Sequence, residues 1–332
     1  MGPTEHKNKS EAILRMLEGR AEKALEFAKK AVLAEENIGG ELHNALEYYT
    51  SNWENFTHPA LLSMACEAVG GNPDEEVEIQ AVIAMLGAAL DIHDDIIDRS
   101  KVKHGKPTVF GHYGGDLALI LGDVFFVNGF ALLGKTVGKM PDEKMKEIFA
   151  TLRRALFELG NAHTLESELK QRMHVAPEEY MEILQMKAAS VEADMRIGAV
   201  VGGGTKSEIE ALTKYGRIAG RLATLREEFV DVFEIEELCH RMRNECLPVP
   251  VLYAIQDKEL KGKIEKLIAK RKMTSSDVEK LIDMVLEARS VKRLKKKMKD
   301  LVMESYHSTS EIRNQTLRRQ LQEVTSSTLE DI

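Results

Sequence analysis

A stretch of twelve residues that is apolar on every side constrains the fold of this chain more than any other feature. Residues 79–90 read IQAVIAMLGAAL and include one polar side chain, Gln80. A helix with apolar side chains all round is stable only where other elements cover each of its faces. The stretch therefore predicts a helix in the middle of a protein with a substantial core.

Acidic side chains follow this stretch at once. Residues 91–98 read DIHDDIID, and Asp94, Asp95 and Asp98 share one side of the continuing helix, because residues three and four apart are neighbours there. Two bare charges ~6 Å apart at an effective dielectric of ~20 repel by roughly 3 kcal/mol. A positive group is therefore expected among these carboxylates.

Helical periodicity extends along nearly the whole chain. Apolar residues recur at spacings of three and four, and the 332 residues include only eight prolines,. Glycine-rich breakers such as GGNP at 70–73 and GGG at 202–204 separate the helical segments,. The pattern predicts an all-α protein with one domain over residues 1–332, since no linker-like region interrupts it. The predicted helices span 10–36, 40–53, 58–69, 74–98, 115–135, 142–172, 177–202, 206–231, 234–256, 257–271, 274–287 and 289–325.

Composition excludes several classes of protein. A hydrophobic content of 43% with 30% charged residues is typical of a globular protein in water, and a net charge of -8 argues against a nucleic-acid binder,. No apolar stretch reaches about 18 residues without a charge, so we expect no transmembrane segment. Residues 1–10 lack the apolar core of a signal peptide, and the three cysteines form no CxxC pair,. We therefore expect a cytoplasmic protein.

A second group of acidic residues repeats the spacing of the first. Glu227, Glu228 and Asp231 stand at i, i+1 and i+4 after the apolar segment YGRIAGRLATL. One such triplet is most often a hydrated surface patch, but two triplets attached to interior-type helices favour a shared function. Mg²⁺ takes carboxylate oxygens, water and substrate phosphates as ligands. Two acidic helix faces opposed across a cavity would hold such ions, and the ions would hold a diphosphate.

Basic residues follow the first group of acids. The segment RSKVKHGKPT at 99–108 contains an arginine and three lysines, Lys103 among them, beside a predicted turn. Lys187 is a further cation in apolar and acidic surroundings. This arrangement suits an anionic group near the carboxylates.

Taken in order, the segments DDIID…KHGKPT, LILGD, EEYMEILQMKAA, YGRIAGRLATLREEFVD and LPVPVLYA resemble the trans-isoprenyl diphosphate synthases. The resemblance covers residues 40–256. It implies an isoprenoid synthase-type bundle of long helices around a deep central cavity, usually dimeric. It also implies a prenyltransferase in which Mg²⁺ draws the diphosphate from an allylic prenyl diphosphate, and isopentenyl diphosphate then attacks the resulting cation.

The same resemblance assigns roles to individual residues. Asp94, Asp95 and Asp98 match the first aspartate-rich motif and, with Lys187, are implied to be catalytic. Lys103 and Lys187 are implied to take diphosphate oxygens. The implied metal ligands are Asp94, Asp95, Asp98, Glu227, Glu228 and Asp231.

The chain departs from the family pattern where the second substrate binds. Asn55 and His58 stand in place of a lysine and an arginine, and the paired basic residues after the first motif fall on Lys103 and His104. Gly87 replaces a family histidine. Imidazole is a poor substitute for a guanidinium that binds phosphate through two hydrogen bonds. The groups for the allylic substrate are kept, and those for isopentenyl diphosphate are largely lost.

The residues one turn before the first motif line the cavity floor in this family. In this chain they are Ala89 and Leu90, which predict room for a prenyl chain of about twenty carbons or more. Alternatively, Ala89 simply permits close helix packing.

Three functions remain open on these grounds. The first is a magnesium-dependent prenyltransferase that uses isopentenyl diphosphate or another acceptor. The second is an enzyme of the class I terpene synthase type, which releases a hydrocarbon or an alcohol. The third is a non-catalytic or regulatory subunit of a heteromeric synthase. Either a homodimer or a heteromer with a second synthase chain is expected.

Overall fold

A computed structural model describes residues 3–35, 39–103, 105–170, 172, 175–270, 273–330 and 332. Over these residues the chain is almost entirely helical, with one short antiparallel hairpin. The prediction of an all-α protein is confirmed. His104, which the sequence places among the substrate-binding residues, lies outside the described residues.

Over the residues that the structure describes, the helices and strands succeed one another without a long irregular segment. In chain order they are α1 (Pro3–Leu33), α2 (Gly40–Ser51), α3 (Thr57–Ala68), a 3-10 turn (Pro73–Glu76), α4 (Val77–Ile97), β1 (Val102–Lys103), β2 (Lys106–Pro107), α5 (Val109–Tyr113), α6 (Gly115–Lys135), α7 (Asp142–Leu169), α8 (Pro177–Lys187), α9 (Ala189–Val201), α10 (Lys206–Phe233), α11 (Ile235–Asn244), α12 (Val249–Ile255), α13 (Lys261–Ile268), α14 (Ser275–Glu287), α15 (Arg289–Ser308) and α16 (Gln315–Ser327).

Three long predicted helices are each divided in the structure. The one over 177–202 becomes α8 and α9, and the other two divide at a proline and at an asparagine. The predicted helix over 234–256 becomes α11 and α12, because Pro248 cannot donate a backbone hydrogen bond and marks the start of a new helix,. The predicted helix over 289–325 becomes α15 and α16. In the second case the side chain of Asn314 accepts two backbone N–H groups of the first turn of α16 and caps it,.

Contacts within the chain divide it into two compact units. The first, the α4 unit, consists of residues 11–151 and 194–210. In it α6 packs along α4, α3 and α5 also pack on α4, and α2 packs on α6. Every residue from Ile79 to Ala89 is buried except Gly87, which is partly exposed. The apolar stretch is thus an interior helix, as its sequence predicts.

The second unit, the α12 unit, consists of residues 1–10, 152–193 and 211–332. In it α12 packs against α8, α13, α14 and α15, and α15 packs against α16. Tyr180 and Phe229 are among the largest side chains in its core. The prediction of one domain over residues 1–332 stays a prediction.

Helix α6 is exposed along part of its apolar surface. Leu119, Ile120 and Val127 have exposed fractions of 52%, 50% and 66%. Among the described residues, α6 is also the helix whose length and composition would allow it to cross a membrane, with 39% of that window buried. A core helix passes the same test, and α6 packs against α4, so this is weak evidence for a membrane span.

Candidate functional site

The first acidic triplet, Asp94, Asp95 and Asp98, lies at the carboxyl end of α4. The buried part of α4 fixes its position, and all three side chains are partly exposed. The backbone N–H of Asp98 donates to the carbonyl of Asp94, and the helix ends there. Arg99 follows with a positive φ of 59°, which turns the chain out of the helix and toward the hairpin,.

The electrostatics of this triplet favour a bound cation. Burial raises the pKa of Asp95 to about 7, and Asp91, Asp94 and Asp98 add to the shift. The ammonium of Lys103 opposes the shift, and its Nζ lies 3.8 Å from Oδ1 of Asp95. Lys103 thus acts against the repulsion from the neighbouring carboxylates. A divalent cation would offset it further.

A magnesium ion does not require a complete set of protein ligands at this position. Over the part of the chain that the structure describes, no three histidine, cysteine or acidic side chains are already gathered as a metal site. Mg²⁺ is usually held by one or two carboxylates together with water and substrate phosphates. The first acidic triplet supplies carboxylates at suitable spacing, so its chemistry fits the ion.

The hairpin β1–β2 holds Lys103 near the triplet. The hydroxyl of Thr108 donates to the carbonyl of Ser100 at 2.6 Å and accepts the backbone N–H of Gly111. A Cβ on Gly111 would lie 2.0 Å from the carbonyl oxygen of Lys101, so only glycine fits this close approach. These bonds join both ends of the hairpin and limit where Lys103 can lie.

Asn55 and His58, predicted to contact substrate, lie beside α4 in the same unit. The Asn55 amide donates to Oδ2 of Asp91 at 2.8 Å. Nδ1 of His58 lies 2.5 Å from Oδ2 of Asp194, which is 3% exposed. Burial raises the pKa of the Asp194 carboxyl, and His58 opposes that shift. Both side chains are thus already bonded to carboxylates.

The two residues predicted to line the cavity floor differ in their burial. Ala89 is fully buried, and Leu90 is partly exposed. Leu86, one turn earlier, packs closely on α6, where a Cβ on Gly129 would lie 3.1 Å from its Cδ2. Close packing of α4 on α6 therefore accounts for the glycine at position 129 of α6. The prediction of a floor at Ala89 and Leu90 stays a prediction.

The second acidic triplet, Glu227, Glu228 and Asp231, lies near the end of α10 in the α12 unit. Glu227 is exposed, whereas Glu228 is 5% exposed. The guanidinium of Arg241, on α11, is buried and donates from Nη1 to Oε1 of Glu228 at 2.9 Å and to Oδ2 of Asp231. The backbone N–H of Val249 donates to the other oxygen of Glu228 at 2.7 Å.

This ion pair belongs to a larger buried network. Nη2 of Arg241 donates to the hydroxyl of Tyr180 at 2.8 Å, and that hydroxyl donates to Glu166 at 2.7 Å. Nζ of Lys187 lies 2.6 Å from the second oxygen of Glu166. Burial acts to raise the pKa of Glu166, but Lys187 and the Tyr180 hydroxyl lower it to about 2. We call these four side chains, together with Glu228, the Arg241 network.

The Arg241 network does not fit a metal at the second triplet. The carboxylates of Glu228 and Asp231 are already bonded to a guanidinium, so a magnesium ion there would have to displace Arg241 from its buried position. The roles predicted for Glu227 and Lys187 stay predictions.

Sequence reasoning missed Arg241, Tyr180, Glu166 and Asp194. Asp194 carries a recognisable signal, because a lone carboxylate in the apolar segment ADMRIGAVV needs a buried partner,. Arg241 stands among other charged residues in CHRMRNE, and nothing in that pattern separates it from its exposed neighbour Arg243.

Comparison with known proteins gives a consistent result. The polyprenyl synthetase family model matches residues 40–285. A short chain isoprenyl diphosphate synthase from Methanothermobacter thermautotrophicus is 33% identical over 180 residues, which are 54% of each chain. A geranylgeranyl diphosphate synthase from Methanosarcina mazei is 29% identical over 204 residues, 61% of this chain and 62% of that protein. The chain thus spans about half to three fifths of the length of these curated relatives.

Solved structures agree on the fold. A geranylgeranyl pyrophosphate synthetase from Pyrococcus horikoshii superimposes with a TM-score of 0.84 at 22% identity, covering 97% of this chain and 99% of that one. A polyprenyl synthase from Caulobacter crescentus, complexed with calcium and isoprenyl diphosphate, gives 0.80 at 20% identity, with 96% and 97% covered. At these identities the likeness shows the fold, which is the all-α fold predicted from the sequence.

Proposed function

Because the chain belongs to the polyprenyl synthetase family, we propose that it is a magnesium-dependent prenyltransferase that ionises a long allylic prenyl diphosphate. The observation that carries this proposal is the first acidic triplet at the end of α4, where Nζ of Lys103 lies 3.8 Å from Oδ1 of Asp95. The named activity of the Methanosarcina mazei relative, a geranylgeranyl diphosphate synthase, supports the substrate class.

The first acidic triplet would hold the metal, and Lys103 would take a diphosphate oxygen. Mg²⁺ bound there supplies the positive charge that stabilises a departing diphosphate. The buried apolar part of α4 keeps water away from the prenyl chain,. We assign no metal to Glu228 or Asp231, because Arg241 already binds both carboxylates.

The nature of the acceptor separates the enzymatic candidates. Asn55 and His58 are bonded to Asp91 and Asp194, so they offer a diphosphate fewer positive groups than a lysine and an arginine would. This favours an acceptor other than isopentenyl diphosphate, or release of the cation as an alcohol. The same observation suits a regulatory subunit of a heteromeric synthase, which is the second candidate function.

Assembly through α6 is part of the proposal. The exposed side chains Leu119, Ile120 and Val127 form an apolar face that a second synthase-like chain, identical or not, would cover,. Light scattering of the purified protein measures its oligomeric state. A cytoplasmic location also stays a prediction.

Product analysis tests the proposed function. The protein is incubated with geranylgeranyl diphosphate and Mg²⁺, with and without isopentenyl diphosphate, and the products are identified by mass spectrometry. Release of diphosphate that stops on addition of EDTA is the expected result. Longer prenyl diphosphates identify chain elongation, and a hydrocarbon or an alcohol identifies a terpene synthase-like enzyme. Absence of any turnover would contradict the enzymatic proposal and favour the regulatory subunit.

A further inference from the structure

Helix α15 has two faces of opposite character. Its apolar side chains, among them Leu294 and Met298, are buried in the core of the α12 unit. The other face is basic, and its exposed side chains are Arg289, Lys292, Arg293, Lys296, Lys297 and Lys299. We call these six residues the α15 basic face.

The basic side chains form a continuous row along the helix. Positions three, four and seven apart are neighbours on one side of a helix, and these residues follow that spacing. The segment from Arg289 to Lys299, RSVKRLKKKMK, contains no acidic residue, and the first one to follow is the exposed Asp300. Ten positions of a helix rise about 15 Å. The α15 basic face is therefore a straight strip of positive charge of about that length.

The protein does not neutralise this charge internally. Among the residues that the structure describes, none of the six side chains of the α15 basic face takes part in an ion pair. Glu304, further along α15, pairs instead with Lys214, whose Nζ lies 3.1 Å from its Oε1. The strip of charge is thus left available to a partner outside the chain.

The partly buried Lys295 lies at the edge of this strip. Its Nζ is 5.4 Å from the centroid of the Phe229 ring. Burial lowers the pKa of Lys295, and the ammonium of Lys299 lowers it further. Like charges therefore lie near one another here, as they would in a surface that binds anions.

The burial of the apolar face determines how α15 could meet a membrane. A helix that inserts into the bilayer boundary does so with its apolar face. In α15 that face is already packed in the protein core, so only the charges remain for an external contact. Clusters of about four to eight lysines and arginines on one helix bind anionic phospholipid headgroups. Such contact is electrostatic, and salt weakens it.

The composition of the face favours a lipid surface over a nucleic acid. No aromatic residue stands between Arg289 and Lys299, so the segment offers no platform for stacking of a base,. Most of the six residues are lysines, whose ammonium groups are point charges and not planar forks that grip single phosphates. Met303, 55% exposed, follows one turn after Lys299 and is compatible with the apolar boundary below the headgroups.

We propose that the α15 basic face docks this protein on a membrane that contains anionic phospholipids, through electrostatic contact with their headgroups. The inference goes beyond the proposed function, because it concerns neither the prenyl substrate nor the metal. Docking can be measured without either, so its failure and the failure of the proposed function are distinguishable.

Vesicle sedimentation tests the docking. The whole protein, in EDTA and without substrate, is mixed with vesicles of phosphatidylcholine alone or with about 30% phosphatidylglycerol. We expect at least about tenfold tighter binding to the anionic vesicles at about 0.1 M salt, and a loss of about tenfold or more at about 0.5 M salt. Equal binding to both kinds of vesicle, or no binding to the anionic ones, would overturn the proposal.

Substitutions in the α15 basic face locate the contact. The triple variant Lys292→Gln, Lys296→Gln, Lys297→Gln removes three exposed charges and should weaken binding to anionic vesicles on the order of 30- to 100-fold,. Lys296→Glu alone, near the centre of the face, should weaken it by about tenfold. Circular dichroism checks that both variants are folded. Wild-type affinity in the single variant would refute the assignment, whatever the triple variant does.

A matched variant separates this face from the net charge of the protein. Lys258→Gln, Lys263→Gln, Lys266→Gln removes the same charge from exposed lysines of the same unit, where Glu259 and Glu265 are interspersed. It should change vesicle binding by less than about threefold, because charges more than a Debye length from the lipid are screened. Equal losses in the two triple variants would contradict the assignment to α15.

Competition distinguishes the possible partners. Protein bound to anionic vesicles is titrated with a DNA duplex or with polyglutamate at an equal concentration of negative charge. We expect the protein to stay on the vesicles. Release by the duplex would identify a nucleic-acid surface, and release by polyglutamate would identify a surface for an acidic protein. Either result would overturn the membrane proposal.

Discussion

The two acidic triplets have the same spacing in the sequence and opposite environments in the structure. In the first, burial and then the neighbouring carboxylates raise the pKa of Asp95 to about 7, against an ordinary value of 3.8, and the half-exposed Lys103 opposes that shift. In the second, Glu228 and Asp231 share the buried guanidinium of Arg241. The spacing of carboxylates alone therefore does not identify a metal site.

The difference lies in which cation the fold supplies. A guanidinium is planar and can bond several carboxylate oxygens at once, so Arg241 satisfies its partners in place. Lys103 approaches one oxygen of Asp95 to 3.8 Å and opposes the rise in the pKa of that carboxyl. We therefore expect substitutions in the first triplet to alter catalysis and those in the Arg241 network to alter stability.

Removal of one carboxylate from each triplet gives the largest contrast. Asp98→Ala should lower kcat/KM on the order of 10³- to 10⁴-fold, because the leaving diphosphate loses the positive charge of the metal. This loss corresponds to an increase of roughly 5 kcal/mol in the activation free energy. Asp231→Ala should change kcat/KM by less than about tenfold. Steady-state rates and calorimetric titration with Mg²⁺ and diphosphate measure both. Equal losses in the two variants would show that the second triplet also binds metal.

Removal of the buried guanidinium should have the next largest effect. Arg241→Met leaves Glu228 buried without its cation and should lower the free energy of unfolding by about 3–5 kcal/mol,. Arg243→Met, at an exposed position on the same helix, is the control and should change it by less than about 0.5 kcal/mol,. Urea denaturation followed by circular dichroism measures both variants. A similar midpoint for the two would argue against a stabilising network.

The pH dependence of stability sharpens the comparison further. The pKa of Glu166 is lowered from its ordinary value of 4.5 to about 2, so this carboxylate stabilises the folded state above pH 4.5, and the effect disappears as pH falls toward 2,. The stability difference between wild type and Glu166→Gln should thus be about 2–3 kcal/mol at pH 6 and shrink steadily below pH 4.5.

The control for this measurement is an exposed ion pair in the same unit. Glu179 lies 3.2 Å from Arg172, and both side chains are nearly half exposed. Glu179→Gln should change stability by less than about 1 kcal/mol at every pH. Urea midpoints between pH 6 and pH 3 test both variants. A pH-independent difference for Glu166→Gln would contradict the lowered pKa.

An Asp→Asn substitution should change the free energy of unfolding in opposite directions in the two triplets. In metal-free protein at pH 8, Asp95→Asn should raise the free energy of unfolding by about 2–3 kcal/mol. The Asp95 carboxyl ionises freely in the unfolded chain above pH 3.8, whereas burial holds its pKa at about 7 in the folded state,. Asp231→Asn should lower the free energy of unfolding by about 1–2 kcal/mol, because a charge-assisted bond to Arg241 is lost,. Thermal denaturation in EDTA measures both, and the gain for Asp95→Asn should shrink steadily as pH falls from 7 and disappear near pH 4,.

Local periodicity predicts much of this fold, because helices and their buried faces depend on neighbouring residues. The apolar run before Asp91 is an interior helix, and the acids after it lie together on its last turn, as the sequence indicates. Breaks such as the one between α11 and α12 depend on a single proline and are harder to place within a long periodic segment.

The missed parts of the site depend on partners distant in sequence. His58 and Asp194 are 136 positions apart, and Tyr180 and Glu228 are 48 apart. No local pattern encodes such pairings. The family resemblance placed Asn55, His58 and Lys187 at substrate positions, but it could not reveal which carboxylates bond them in this chain. The spacing of the carboxylates alone could not separate two triplets whose surroundings differ.

The cysteines have a practical consequence. Burial raises the pKa of the thiols of Cys66 and Cys246 to about 12, so very little reactive thiolate forms at either near neutral pH,. Cys239 is partly exposed on α11, two positions from Arg241. A maleimide fluorophore should therefore attach first at Cys239, without any engineered residue. It would report, by its emission, on motion of the helix that supplies the buried guanidinium.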